Sequence, residues 1–369
     1  MKRPTAFAGA RRAVIKIGSA VLRDGPDFDR VTFVSLVRDL VWLMNEGVHP
    51  IVVCSGAVAL GLPRLGLKAR PRRIERIQAT AAVGQGFLMR LWTDELGHYG
   101  YPAAQLLLTH DDLGHRRRFL AARHTLRALI EMGAIPIINE NDTVAIEEIK
   151  LGDNDLLSSQ IVSLVEADLL VILSDIDGLY RDPAQRQDGP IPWVDTIDTE
   201  VMTQAGESRS SHGSGGMRTK IEAIHQVNRL GVPGAIINGK ALGVLRRLYA
   251  GDDVGTWFSA DQPNLRGRKH WIAYALRPMG AVHIDAGAAK ALQDDGRSLL
   301  PIGVVSVDGD FDIGAPVRIL APDGVEVGRG LTGHDAETVR AFAGKHSGGE
   351  TPLDPPEVVH RDDLVLTDL

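Results

Sequence analysis

Along the first two thirds of the chain, short fully apolar runs alternate with longer stretches of helical spacing. Ala13–Ile17 (AVIKI), Pro50–Cys54 (PIVVC), Ile135–Ile138 and Leu169–Leu173 (LLVIL) are such runs, with Ala235–Ile237 a shorter one. Between the first two, Phe33, Val34, Val37, Val41 and Met44 lie on one stripe of a helix predicted over Val31–Met44. Strands apolar on both faces, separated by helices, predict an open, mainly parallel sheet sandwiched by helices. Each run ends in a polar or glycine-bearing turn: Gly18-Ser19, Ser55-Gly56, Asn139–Asp142, Ser174-Asp175 and Asn238-Gly239. Open α/β sheets bind their ligands outside the carboxyl ends of the strands, so these turns are where chemistry is expected.

The pattern changes near residue 260. Ser259–His270 is polar and basic, contains Pro263 and Gly267, and reads as a linker. Beyond it come short β-type runs at Ala281–Ile284, Gly303–Val307, Pro316–Leu320 and Glu326–Leu331. Asp308-Gly309 and Asp323-Gly324 between the later runs predict hairpins. The division expected is an α/β domain over 1–260, a linker over 261–278 and a small, mostly β domain over 279–369.

Composition narrows the class. A length of 369 residues fits roughly two domains and is enough to bury a core without disulfide or metal staples. The single cysteine, Cys54, excludes an intrachain disulfide or a cysteine-based zinc site, and its apolar setting reads as a small buried side chain. Net charge is −6, unevenly spread: residues 1–260 hold 30 basic and 30 acidic side chains, whereas 261–369 hold 11 and 17. An acidic tail is a poor electrostatic match for nucleic acid, so nucleic acid is not expected as a partner. No apolar run approaches the roughly 20 residues of a membrane helix, and Ala6–Ala10 is too short for a signal-peptide core. The expectation is a cytoplasmic protein with no membrane partner.

Four sequence features carry candidate chemistry. Lys16 lies inside an apolar strand next to Gly18; it either snorkels from an edge strand or meets an anion, as phosphate-cradling lysines do. Ser214-Gly215-Gly216-Met217-Arg218-Thr219-Lys220 precedes a helical stretch, so its amides and the helix dipole favour an anion, although its glycine spacing is not that of a P-loop. Asn139–Asp142 and Gly152–Asp155 are acidic-amide turns that could bind a cation or a small zwitterion, or could simply be Asx turns and helix caps, with Asp155 capping a helix from Leu156. Ser55-Gly56-Ala57 lacks the G-x-S-x-G pattern of hydrolases and is read as a substrate-binding turn.

Together these elements resemble the glutamate 5-kinase family of the amino acid kinase superfamily over essentially the whole chain. The resemblance is carried by Val14–Ser19, Val53–Ala57, Ala81–Gln85, Asn139–Ala145, Lys150–Asp155, Leu173–Tyr180 and Gly215–Lys220, and the tail resembles a PUA domain. It implies the amino acid kinase fold followed by a PUA-like β domain, and ATP-dependent phosphorylation of the L-glutamate side chain, the opening step of proline biosynthesis. By position, it implies that Lys16 and Lys220 contact the transferring phosphates and that Asp155 orients them. Ser55, Asp142 and Asn154 are implied to bind glutamate, and Ser174, Asp175 and Ser214 through Lys220 to line the ATP site. ATP and Mg²⁺ are the implied cofactors, with no metal ligand assigned among the protein's own residues. A homotetramer or dimer and feedback inhibition by proline are likewise implied. Cys54, Ser19 and Ser174 stand where threonine is the commoner residue of the family.

The chemistry agrees with that implication. A glutamate side chain has a reference pKa of about 4.3 and is ionised at neutral pH, so no general base is needed. Phosphoryl transfer asks for alignment and charge neutralisation, which lysines and loop amides supply. Two alternatives remain open at this stage. One is a related kinase acting on aspartate, N-acetylglutamate, carbamate or UMP. The other is an RNA-binding protein, since PUA domains often bind RNA; the acidic balance of 261–369 speaks against it, although Arg266, Arg268, Lys269 and His270 form a local basic cluster.

Overall fold

The computed structural model describes residues 9–25, 27–145, 153–182, 186–205, 216–260, 278–345 and 356–367. The chain forms two compact units that part near residue 264. The first begins with β1 (Arg12–Ile17), the short hairpin strands β2 (Arg23–Asp24) and β3 (Asp27–Phe28), α1 (Arg30–Asn45) and β4 (His49–Cys54). There follow α2 (Ala57–Arg64), α3 (Ile74–Gly97), β5 (Ala103–Leu108), α4 (His110–Gly114), α5 (Arg116–Glu131) and β6 (Ile135–Glu140). Next are α6 (Asp153–Val165), β7 (Leu169–Ser174), β8 (Trp193–Val194) and α7 (Thr199–Gln204). The series closes with α8 (Met217–Asn228), β9 (Gly234–Asn238), α9 (Val244–Tyr249) and β10 (Thr256–Phe258).

These strands make one eight-stranded sheet in the order β5-β6-β4-β1-β7-β9-β10-β8. From β5 to β9 every pairing is parallel, and only the β9–β10 pairing is antiparallel. β6 and β7 are buried along their entire length, as expected for strands apolar on both faces. The core includes Phe33, Leu36 and Leu40 of α1 and Leu88 and Trp92 of α3, packed with the β1 and β4 side chains. Strand order sets the site: β1 runs between β4 and β7, with Lys16 in register with Val53 on one side and Ile172 on the other. The turns after β1, β4 and β7 therefore open side by side.

The second unit holds β11 (Gly280–Ile284), α10 (Ala286–Gln293), β12 (Val304–Gly309), β13 (Pro316–Leu320), β14 (Glu326–Thr332), α11 (Ala336–Phe342) and β15 (Val359–Leu366). Its five-stranded sheet has the order β12-β11-β13-β14-β15 and its own core, with Val282, Val317, Ile319, Val339 and Val359 fully buried. Asp323-Gly324 joins the antiparallel neighbours β13 and β14, as a hairpin requires. Asp308-Gly309 does not make one. Gly309 adopts its positive φ at the end of β12, but β11 lies between β12 and β13 and pairs with both. A turn dipeptide supplies a backbone conformation; it does not decide which strand becomes the neighbour.

Candidate functional site

Lys16 occupies a central strand, so the edge-strand alternative is excluded, and only 5% of the residue is exposed. Its Nζ lies 2.6 Å from Asp155 Oδ1. Asp155 does not cap a helix starting at Leu156: α6 already begins at Asp153, and the Asp155 carboxylate reaches across to other elements. Lys220 Nζ, from the first turn of α8, lies 3.2 Å from Asp155 Oδ2, and the Thr219 hydroxyl donates to the same oxygen at 2.8 Å. Lys220 Nζ also donates to the Gly216 carbonyl at 3.4 Å, and Thr219 Oγ1 lies 3.0 Å from the same carbonyl oxygen, which holds the start of α8 beside the cluster. Side chains from β1, α6 and α8 thus meet in a buried group of two ammonium ions and one carboxylate.

Two cations around one anion in a buried setting leave a net positive charge, which is costly unless a further anion is bound. Burial by itself would raise the Asp155 carboxyl. The Lys16 and Lys220 charges, with hydrogen bonds from Lys16 and Thr219, override it and hold the group below the usual carboxylate range. Burial draws the Lys16 ammonium below the ordinary lysine value, Asp155 opposes that, and the Lys220 charge adds to it.

Beside this cluster lies an amide and hydroxyl chain. Asn154 Nδ2 donates to Ser55 Oγ at 2.8 Å and to Asn139 Oδ1 at 2.9 Å, and Asn139 Nδ2 donates to Gln85 Oε1 at 2.9 Å. The turns after β4 and β6 are thereby joined to the start of α6. Asp142 stands half-buried in the turn after β6, where the amides of Val144 and Ala145 donate to the Asn141 carbonyl. Asn154 and Asp155 are successive helix residues, so their side chains diverge by about 100°. One serves the Ser55 turn and the other the lysines.

On the other side of β1, Ser174 ends β7 and Asp175 follows it, the Ser174 hydroxyl lies 3.3 Å from Asp175 Oδ1, and the Gly239 amide donates to the Ser174 carbonyl at 2.8 Å. Gly216 is extended at the N-cap of α8, Met217 opens that helix, and Arg218 pairs with Glu222 on its exposed face. Ser214 and Gly215 lie outside the described residues, as do Lys150 through Gly152 and the linker residues up to 277. Cys54 is buried, donates to the Ser55 carbonyl at 3.4 Å, and burial raises its thiol to about 12.

Sequence reasoning missed several neighbours. Asn139 and Gln85 were legible only within longer motifs, and nothing in their spacing announces the chain they form. A cavity of about 190 Å³ beside Ser55 and Gly56 is lined by Ser19, Arg23, Arg64 and Phe87 among others. Arg64, exposed at the end of α2, lays its guanidinium over the Phe87 ring, 3.1 Å from the centroid. That contact is tertiary and leaves no local pattern.

The fold and the lysine-aspartate cluster define a class, and comparison with known proteins agrees. The Amino acid kinase family model matches residues 11–238, and the PUA domain model matches residues 280–348. Glutamate 5-kinase of Geobacter metallireducens is 46% identical over 363 residues, covering 96% of this chain and 97% of its own. The Thermus thermophilus enzyme of that name is 45% identical, with 97% of each chain covered. That of Moorella thermoacetica is 42% identical, covering 98% of this chain and 97% of its own. Within the amino acid kinases, the chain belongs to the glutamate 5-kinase family.

Proposed function

We propose that this protein transfers the γ-phosphoryl group of ATP to the side-chain carboxylate of L-glutamate, giving L-glutamyl 5-phosphate, the first step of proline biosynthesis. The observation that carries the reading is Asp155 held between Lys16 and Lys220 next to the Asn154–Ser55 contact. In this reading the two ammonium groups face the phosphoryl group in flight. Asp155 fixes where they point, so little reorganisation is left for the transition state. Ser174, Asp175 and residues 214–220 flank the nucleotide, while Ser55, Asn154 and Asp142 hold the amino acid. The acceptor carboxylate is already ionised and attacks directly, without a base. Among the described residues no group of three or more His, Cys, Asp or Glu side chains could hold a metal ion. Mg²⁺ carried on the phosphate oxygens of ATP would neutralise part of their charge.

Because Asn154 and Asp155 are adjacent, a shift of the first turn of α6 moves acceptor and phosphate contacts together. Binding of glutamate is thereby coupled to alignment of the lysines. Release of ADP, measured with glutamate, aspartate, N-acetylglutamate, carbamate and UMP as acceptors, tests the proposal. Glutamate should be preferred by well over tenfold in kcat/KM, and a higher value for another acceptor would overturn it. A cytoplasmic homotetramer or dimer, inhibited by proline, is part of the same proposal and rests on the family resemblance. Among the described residues no helix is long and apolar enough to cross a membrane.

A further inference from the structure

Away from that site, a groove of about 590 Å³ runs between α1 and the start of α9, and Arg30, Arg38 and Arg246 line it. The acid in its lining, Asp39, is buried and already engaged: it accepts from the Leu245 amide at 3.1 Å and pairs with Arg246 Nε at 2.9 Å. Arg38 Nε donates to the Tyr99 hydroxyl, a neutral partner, at 3.2 Å. Arg30 is the first residue of α1, at the end where the helix dipole disfavours a cation, and the first turn contains no acid. The capping carboxylate of Asp29 is committed to the amide and hydroxyl of Thr32. Among the described residues, neither Arg30 nor Arg38 has an acidic partner. The groove also carries apolar surface in the wrong place for a solvated basic face, since Val31 is 70% and Leu242 61% exposed.

We propose that this groove binds a small organic anion, its phosphate or carboxylate oxygens between Arg30 and Arg38 and its apolar body against Val31 and Leu242. Guanidinium forks match both oxygen groups bidentately. The volume falls in the range of small-molecule sites, about 300–1,000 Å³. None of the catalytic lysines, Asp155 or the Ser55 turn lines it, so its occupant is a second ligand and not a substrate.

The probe is 1-anilinonaphthalene-8-sulfonate, an apolar anion, titrated into the full chain by fluorescence with the nucleotide site saturated by Mg²⁺-free ATP. Binding should be displaced by pyrophosphate if the site prefers phosphate, or by succinate if it prefers carboxylate. Arg30→Gln combined with Arg38→Gln should weaken probe binding at least tenfold while melting temperature and kinase activity stay unchanged. Val31→Glu, a separate variant at the apolar wall, should do the same. Equal probe affinity in wild type and double variant, or no displacement by either anion, would overturn the assignment. So would a fall in molecular mass of the double variant by light scattering, which would give this face to a second copy of the chain.

Discussion

Asp155 has both carboxylate oxygens committed to buried ammonium groups, so its amide is not a neutral replacement. Asp155→Asn removes the carboxylate from between two buried ammonium groups, and breaking a buried pair in this way costs about 3–5 kcal/mol. At about 2–4 °C per kcal/mol for a domain of this size, melting should fall by roughly 6–20 °C, with kcat reduced far more than glutamate binding. The folded-state carboxyl is held below its unfolded value. Its stabilising contribution is therefore complete above the ordinary carboxylate range, near pH 4, and is lost as pH falls through the depressed value. Thermal unfolding followed against pH should show that acid limb in the wild type, smaller in Asp155→Asn. At Asp142 the same change separates a turn residue from a ligand. Asparagine caps about as well as aspartate, so a structural role predicts little change. A charge-assisted bond to the glutamate ammonium, about 1.5–3 kcal/mol, predicts a rise of about ten- to over a hundred-fold in glutamate KM with ATP KM unmoved. Steady-state kinetics with both substrates decide between them. Cys54, its thiol raised to about 12 by burial, should resist iodoacetamide at pH 8 until the chain is unfolded; rapid labelling of the native protein would contradict its placement.

The helix pair α2 and α3 shows how an element positions a site it does not itself supply. A Cβ on Gly84 would stand 1.7 Å from the Ala57 carbonyl oxygen, and one on Gly61 would stand 2.0 Å from that of Thr80. Both obstacles are backbone, so the helices must separate, and α2 begins directly after the Ser55-Gly56 turn. Gly84→Ala should cost about 3 kcal/mol or more and raise glutamate KM above any change in ATP KM. Gly86→Ala, on the same helix with open space around it, should be neutral or slightly stabilising, because alanine favours helix. Denaturant melts of the two variants test the close approach against a general intolerance of α3. The elements read from sequence were those whose patterning is self-sufficient: the apolar runs became β1, β4, β6, β7 and β9, within two residues at each end. β5 (AAQLLL) was not singled out: Gln105 interrupts its apolar run, and only Leu108 of its six residues is buried. β8 and β10 are two and three residues long, too short for any period to register.

At the scale of the whole molecule, two units with separate cores predict separable stability. A chain ending at Asn264 should fold and phosphorylate glutamate, since Lys16, Asp155 and Lys220 all precede that point; a folded but inactive truncation, judged by circular dichroism and ADP release, would tie the second unit to catalysis. The sequence by itself determined which segments become central strands, that their turns are polar, and which residue types are available there, because alternation of apolar and polar positions and the φ demands of glycine act locally. It also carried the family motifs. Only the tertiary structure decided that Lys16 sits between β4 and β7, that Asp155 turns from its own helix to two lysines, and that Asn154 joins Ser55 to Asn139. Those contacts depend on strand order and on helices packing across the sheet. Spacing along the chain fixes neither: Lys16 and Asp155, Lys220 and Asp155, and Asn154 and Ser55 are far apart in sequence and meet because the apolar faces of β1, α6 and α8 are buried together.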